Sequence, residues 1–128
     1  MKTSLFLSAV MMFIFSTITS VTLAQDWKNT NPKMNNVLVD TTLLRSMVVT
    51  IEPGEKSEVH SHFAHFFYAL TDGKLLVQFT DGKEDTYELK VGDAGFSDPE
   101  RPHTAKNVGN KTLKFLIVEL KEHPYKNK

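Results

Sequence analysis

The sequence predicts an all-β fold, an antiparallel sandwich or small barrel. Short apolar runs recur at nearly even spacing between residues 43 and 120, and Gly, Pro and Asp-Gly pairs punctuate them. No segment after residue 24 sustains a helical apolar stripe longer than about ten residues. Residues 25–40 lead in, and 25–36 are rich in turn formers (Asp26, Asn29, Asn31, Pro32, Asn35, Asn36), so this stretch is read as extended. The first strand is expected over 43–51, rich in Val, Leu and Thr, with Pro53-Gly54 closing it.

Runs at 66–70 and 75–80 stop at Asp72-Gly73 and Asp81-Gly82, pairs that read as hairpin turns because such turns require positive φ. Strands at 86–91, 94–97, 103–108 and 113–120 follow, separated by Gly92-Asp93, by a turn ending in Pro102, and by Gly109-Asn110. The domain proper is placed at 41–121, and the polar tail 122–128 is expected to fray.

Composition narrows the function. With 128 residues, 41% hydrophobic and 23% charged, there is room for one domain of ordinary globular character. Fifteen basic residues balance fifteen acidic ones, which gives no sequence-independent pull toward nucleic acid or anionic lipid. With no cysteine, disulfides and thiolate metal sites are excluded, and any transition metal must be held by nitrogen and oxygen.

Lys2, the apolar run 5–18, and small residues at Thr22 and Ala24 read as a secretory signal over 1–24 cleaved before Gln25. The run falls short of the roughly 20 residues that span a bilayer. The expectation is a periplasmic or secreted protein with no stable membrane insertion after cleavage, the rival being an uncleaved anchor.

The chemistry concentrates in His60-Ser61-His62-Phe63-Ala64-His65. On a strand, residues i and i+2 share a face with Cα atoms about 6.5 Å apart, so His60 and His62 can turn their rings toward one ion. A third ligand must come from elsewhere, and His103, after the turn 98–102, is the candidate. Three imidazoles buried without partners would cost a few kcal/mol, which favours a shared ligand over three structural histidines. His123, in the tail, is read as structural.

Gly54, five residues, His60-x-His62 and a gap to Gly73 resemble the first motif of the cupin superfamily. Gly92-Asp93, a short strand, a proline turn, His103, three residues and Asn107 resemble the second. The resemblance implies a double-stranded β-helix, a jelly-roll barrel with one divalent metal (Fe, Mn, Ni, Cu or Zn) held in its mouth by His60, His62 and His103.

Two departures stand out. Counting back from Gly73, Phe66 occupies the position where the pattern usually carries a metal-binding glutamate, and the proline and glycine of the second motif are displaced or replaced. If Phe66 points inward, it makes a dry wall beside the metal. His65 is the candidate for a fourth nitrogen; otherwise it is an acid or base at the cavity mouth, or a surface residue. Asp98, Glu100 and Arg101 are a polar rim, an orienting shell for His103, or a solvated turn.

Three neutral imidazoles leave the ion its full double charge and open positions for a small molecule. That points to dioxygenase chemistry on a chelating substrate, as in three-histidine members of the superfamily, or to isomerase, lyase or hydrolytic chemistry through an acidified water. The alternative is a small-molecule-binding module with a structural metal or an empty pocket. Sheet edges and superfamily habit suggest a homodimer.

Overall fold

The computed structural model describes residues 25–127, so the signal sequence read over 1–24 lies outside the described residues. The described residues fold into two five-stranded sheets. Its elements are β1 (Gln25–Asp26), α1 (Trp27–Thr30), β2 (Asn35–Asp40), β3 (Leu44–Ile51), β4 (His60–His62) and β5 (His65–Ala69), followed by β6 (Gly73–Phe79), β7 (Glu84–Leu89), β8 (Ala94–Ser97), β9 (Glu100–Asn107) and β10 (Leu113–Leu120). One sheet runs β1-β4-β9-β6-β7 and the other β2-β3-β10-β5-β8. All pairings are antiparallel except that of β1 with β4. The barrel expected from the sequence is thus a jelly roll, two sheets face to face, the chain crossing between them at each step from β3 to β6 and from β7 to β10.

Strict alternation builds the interior. In β3, Arg45, Met47, Val49 and Ile51 are buried, and in β10 Leu113, Phe115, Ile117 and Glu119 are. Register lines these residues into rows across the sheet: Val49–Phe115–Ala69, Met47–Ile117–Phe67 and Arg45–Glu119–His65. On the facing sheet the corresponding rows include Val77–Ala105 and His60–His103–Phe79. The barrel is therefore apolar through its middle and ionisable at one end, and the apolar layers supply the stability while the end layer is free for chemistry.

Three expectations change. The Asp81-Gly82 pair does make a hairpin between β6 and β7, with Gly82 at φ +90°. Asp72-Gly73 instead joins β5 and β6, which lie in different sheets, and Gly73 has no positive φ. Its glycine answers to crowding, since a Cβ there would stand 2.7 Å from Leu113 Cδ1.

The lead-in is also not simply extended. Asp26 caps the single helical turn α1 by accepting from the Lys28 N–H at 3.0 Å, and 35–40 form an edge strand on β3. Finally, the tail is tied down at one point, where the His123 carbonyl accepts from the Ala64 N–H at 2.9 Å.

Candidate metal centre

The histidines sit in the ionisable end of the barrel. β4 carries His60 and His62 on its buried face, and β9 sets His103 directly across from His60. One ligand atom from each of the three lies within 4.8 Å of the other two. Two bonds of roughly 2.1 Å span at most about 4.2 Å, so nitrogens at the widest separation allowed here must draw together to share one ion. Ring centroids lie 4.9 Å apart for His60 and His62 and 4.4 Å for His60 and His103.

Hydrogen bonding fixes which nitrogen faces inward. His60 Nδ1 lies 2.8 Å from the Glu58 carbonyl, His103 Nδ1 2.7 Å from that of Arg101, and His65 Nδ1 2.9 Å from that of Phe63. His62 Nδ1 lies 2.8 Å from Glu119 Oε1. Each Nδ1 faces an oxygen that can only accept, or, for Glu119, accepts when ionised, so Nδ1 carries the proton and Nε2 keeps its lone pair. Among the described residues His60 Nε2 is buried with no hydrogen-bond partner. An orphaned lone pair beside two others is costly in a bare core and satisfied by a cation, so the residues present fit a metal ion.

Electrostatics agree. Burial holds the His60 imidazole well below its ordinary range, and repulsion from His62 and His103 adds to it. His62 is lowered by burial and then by His65 and His103. His103 is lowered by burial against the opposing pull of the Arg101 carbonyl and Glu100. All three are neutral at physiological pH, as ligation requires.

Phe66 does not line the site. β5 alternates with His65, Phe67 and Ala69 inward, which leaves Phe66 40% exposed on the outer face. The dry wall comes instead from Phe67, Phe115 and Ile117, which line a cavity of about 120 Å³ over the histidines. His65 is buried, lines the same cavity and lies 4.9 Å from the His62 ring, but it stands outside the mutually close trio. It is no surface histidine.

Four residues of the site were not singled out from the sequence as parts of it. Glu119 is fully buried and divides its carboxylate between His62 and Arg45, whose Nε donates to Oε2 at 2.8 Å. Arg45 in turn grips Asp26 with Nη1 at 2.9 Å and Nη2 at 2.6 Å. Burial pushes the Glu119 carboxyl up, and the Arg45 guanidinium pulls against that shift. The acid missing from the metal-facing position is thus present one hydrogen bond further out, where it orients His62 and raises its basicity.

Trp27, held by Asn35 through its indole N–H, packs its ring 3.8 Å from that of His60. The short parallel pairing Gln25–His60 and Asp26–Ser61 puts it there.

Of the turn residues, Asp98 is exposed, and Arg101 lies over Phe79 at 3.7 Å while its Nε donates to Asp81. Glu100 belongs to the site. A register irregularity where β9 passes β4 pairs His62 with Glu100 and brings its Oε2 to 3.7 Å from His103 Nε2. Bulges re-aim side chains in this way.

A jelly-roll barrel with three neutral imidazoles converging beneath an apolar chamber defines a class, the small β-barrel proteins able to hold a metal at one end. The chain belongs to the cupin domain family, whose model matches residues 47–119, more than half of its length. It is 29% identical over 83 residues to the oxalate decarboxylase of Bacillus subtilis strain 168, covering 62% of this chain and 22% of that enzyme. It is 32% identical over 74 residues to an uncharacterized protein of Methanocaldococcus jannaschii, covering 56% of this chain and 57% of that one. The chain therefore spans about a fifth of the first relative and little more than half of the second. A cupin domain from Bordetella pertussis Tohama I superposes with a TM-score of 0.62 at 22% identity, over 68% of this chain and 91% of that one, and so shares the fold.

Proposed function

We propose that this cupin is a metal-dependent enzyme of dioxygenase or isomerase/lyase type, acting on a small chelating molecule in the apolar chamber. The observation that carries the reading is the trio His60, His62 and His103, with one ligand nitrogen of each within 4.8 Å of the other two and every Nδ1 facing an acceptor oxygen. A bound divalent ion (Fe, Mn, Ni, Cu or Zn) would supply Lewis acidity, or redox chemistry in the case of iron, manganese or copper.

The chain's own residues do the rest. His60, His62 and His103 hold, Glu119 and Arg45 keep His62 in its tautomer, and Phe67, Phe115 and Ile117 exclude water. Glu100, at the rim beside His103, is placed to accept a proton or hydrogen bond from the substrate head. Oxygen uptake by protein loaded in turn with each metal, across a panel of diketones and catechols, tests this. Silence across metals and substrates favours the second reading, a binding module, which the apolar lining of the chamber also supports.

Similarity to oxalate decarboxylase does not extend to a proposal of that activity. Among the described residues no Lys or Arg lines the chamber, whose walls beyond the histidines are mainly apolar, with Glu100, Tyr87 and Ser97 as the other polar side chains beside the Trp27 indole. The proposal includes export with cleavage before Gln25, checked by mass spectrometry of the protein recovered from outside the cytoplasm; an intact Met1 there would refute processing. It also includes a homodimer, supported by Phe66 and Phe96, a cross-strand pair left 40% and 61% exposed on the outer sheet face. Sedimentation at a mass of one chain would refute the dimer.

A further inference from the structure

The shape and chemistry of the chamber restrict what it can take, an inference that rests on the metal reading above for one end of the ligand only. The volume is about 120 Å³. An apolar protein cavity of roughly 150 Å³ stays dry and accommodates benzene, so this chamber has room for about one six-membered ring or a branched chain of five or six carbons.

Its walls are Phe67, Leu75, Val77, Leu89, Ala105 and Ile117, which have no side-chain donor or acceptor. A sugar of similar size would bury several hydroxyls there unpaired, at about 1–3 kcal/mol each. A dicarboxylate would find no cationic side chain, and Glu100 at the rim opposes a second negative charge. Most polar groups of the lining gather at one end, where His60 pairs with His103, His62 with Glu100 and His65 with Ser97, while Tyr87 pairs with Leu75. The complementary molecule is therefore polar at one end and hydrocarbon for the rest.

We infer that the chamber binds a phenol-sized, mainly apolar molecule, one ring or a short branched chain, with its oxygen groups, a hydroxyl or enol head, gathered at one end; phenol is the simplest probe of that class. That head meets His60, His62 and His103, and its O–H donates to Glu100, while the body packs against Leu75, Ala105 and Ile117. Two residues then set specificity without touching the metal ligands. Ala105, buried in β9 two positions from His103, limits the length of the body, and Leu75 limits its width.

The test uses the full mature chain loaded with zinc, which is redox-silent, after zinc binding itself has been measured by competition with a chromophoric chelator. Phenol, 2-naphthol, glucose and oxalate are titrated while the methyl resonances of Ala105 and Ile117 are followed. Phenol is expected to bind at least tenfold more tightly than glucose or oxalate and to shift both methyls, and 2-naphthol is expected to be excluded. Ala105→Leu should weaken phenol at least tenfold with zinc affinity unchanged. Leu75→Ala should admit 2-naphthol, which keeps the inference testable if the leucine variant folds poorly. Glu100→Gln should weaken phenol severalfold and leave benzene unaffected.

Zinc bound normally but phenol no tighter than glucose or oxalate, or phenol indifferent to Ala105→Leu and 2-naphthol still excluded by Leu75→Ala, overturns the inference and spares the metal site. Failure to bind zinc overturns the metal reading instead. Phenol binding to that metal-free protein would still support the apolar half of the inference, and its absence would overturn it.

Discussion

Replacing Glu119 by Gln isolates the contribution of the carboxylate behind the metal centre. The substitution keeps the volume and removes the charge. Glu119 now accepts from the His62 Nδ1–H and from Arg45 on its two oxygens, in a fully buried position. An amide has one acceptor oxygen, so one of these partners must lose its acceptor.

If the amide oxygen faces His62, the NH2 group confronts the Arg45 guanidinium, which is left with Asp26 alone. If the amide turns over, its NH2 forces His62 to accept at Nδ1, which protonates Nε2 and removes a ligand. The first choice costs the two charge-assisted hydrogen bonds that Arg45 Nε and Nη2 donate to Oε2, about 1.5–3 kcal/mol of stability each. The second costs metal affinity directly. Loss of such an outer partner ordinarily weakens metal binding about 10–100-fold, equal to roughly 1.4–2.7 kcal/mol.

Urea denaturation of metal-free protein reads the first quantity, chelator competition with zinc reads the second, and the nitrogen chemical shifts of His62 report its tautomer. A variant with unchanged stability, zinc affinity within twofold of the parent and His62 still protonated at Nδ1 would refute the argument.

The other predictions concern pH, the lead-in and His65. His60, His62 and His103 have folded-state pKa values below the ordinary 6.5. Their unfolded forms therefore take up protons first as pH falls through about 6.5, so the metal-free fold keeps its full stability above that pH and loses it below. The limiting slope is about 1.4 kcal/mol per pH unit for each group, some 4 kcal/mol for three. Glu119, whose carboxyl is pushed up, opposes at most one of them. Urea midpoints flat from pH 7.5 to 5.0 would contradict this.

Trp27→Ala removes a fully buried ring that packs on His60 and should cost about 3–5 kcal/mol while also loosening zinc; a loss below 1 kcal/mol by urea denaturation would show that the lead-in is dispensable. His65→Ala should leave zinc stoichiometry at one, because the trio forms without it; loss of zinc in that variant would place His65 among the ligands.

Much of this was legible because the chain alternates cleanly. The predicted strands at 94–97 and 113–120 coincide with β8 and β10, and period-two patterning placed His60 and His62 on one face. The same patterning held a signal for the outer partners that was not used. Arg45-x-Met47-x-Val49-x-Ile51 and Leu113-x-Phe115-x-Ile117-x-Glu119 each put one charge on an otherwise apolar face, which suggests a buried ion pair once the strands are aligned.

Counting from a motif failed at Phe66, because spacing to Gly73 says nothing about where β5 begins its alternation. For Glu100 the sequence left three readings open, a rim, an orienting partner of His103 or a solvated turn, for a related reason. An odd separation from His103 should put it on the other face, and only the irregularity beside Pro102, a residue that tends to mark bulges in strands, reverses that. Trp27 could not be placed at all, since a two-residue parallel strand leaves no periodic trace.

The central claim is that His60, His62 and His103 share one ion through Nε2. X-ray absorption on the zinc-loaded protein, beside His103→Ala, tests it most directly. The account predicts one zinc per chain with three imidazole nitrogens at about 2.0–2.1 Å, and two in the variant with sharply reduced affinity. A spectrum dominated by oxygen ligands, or one unchanged by His103→Ala, would contradict it.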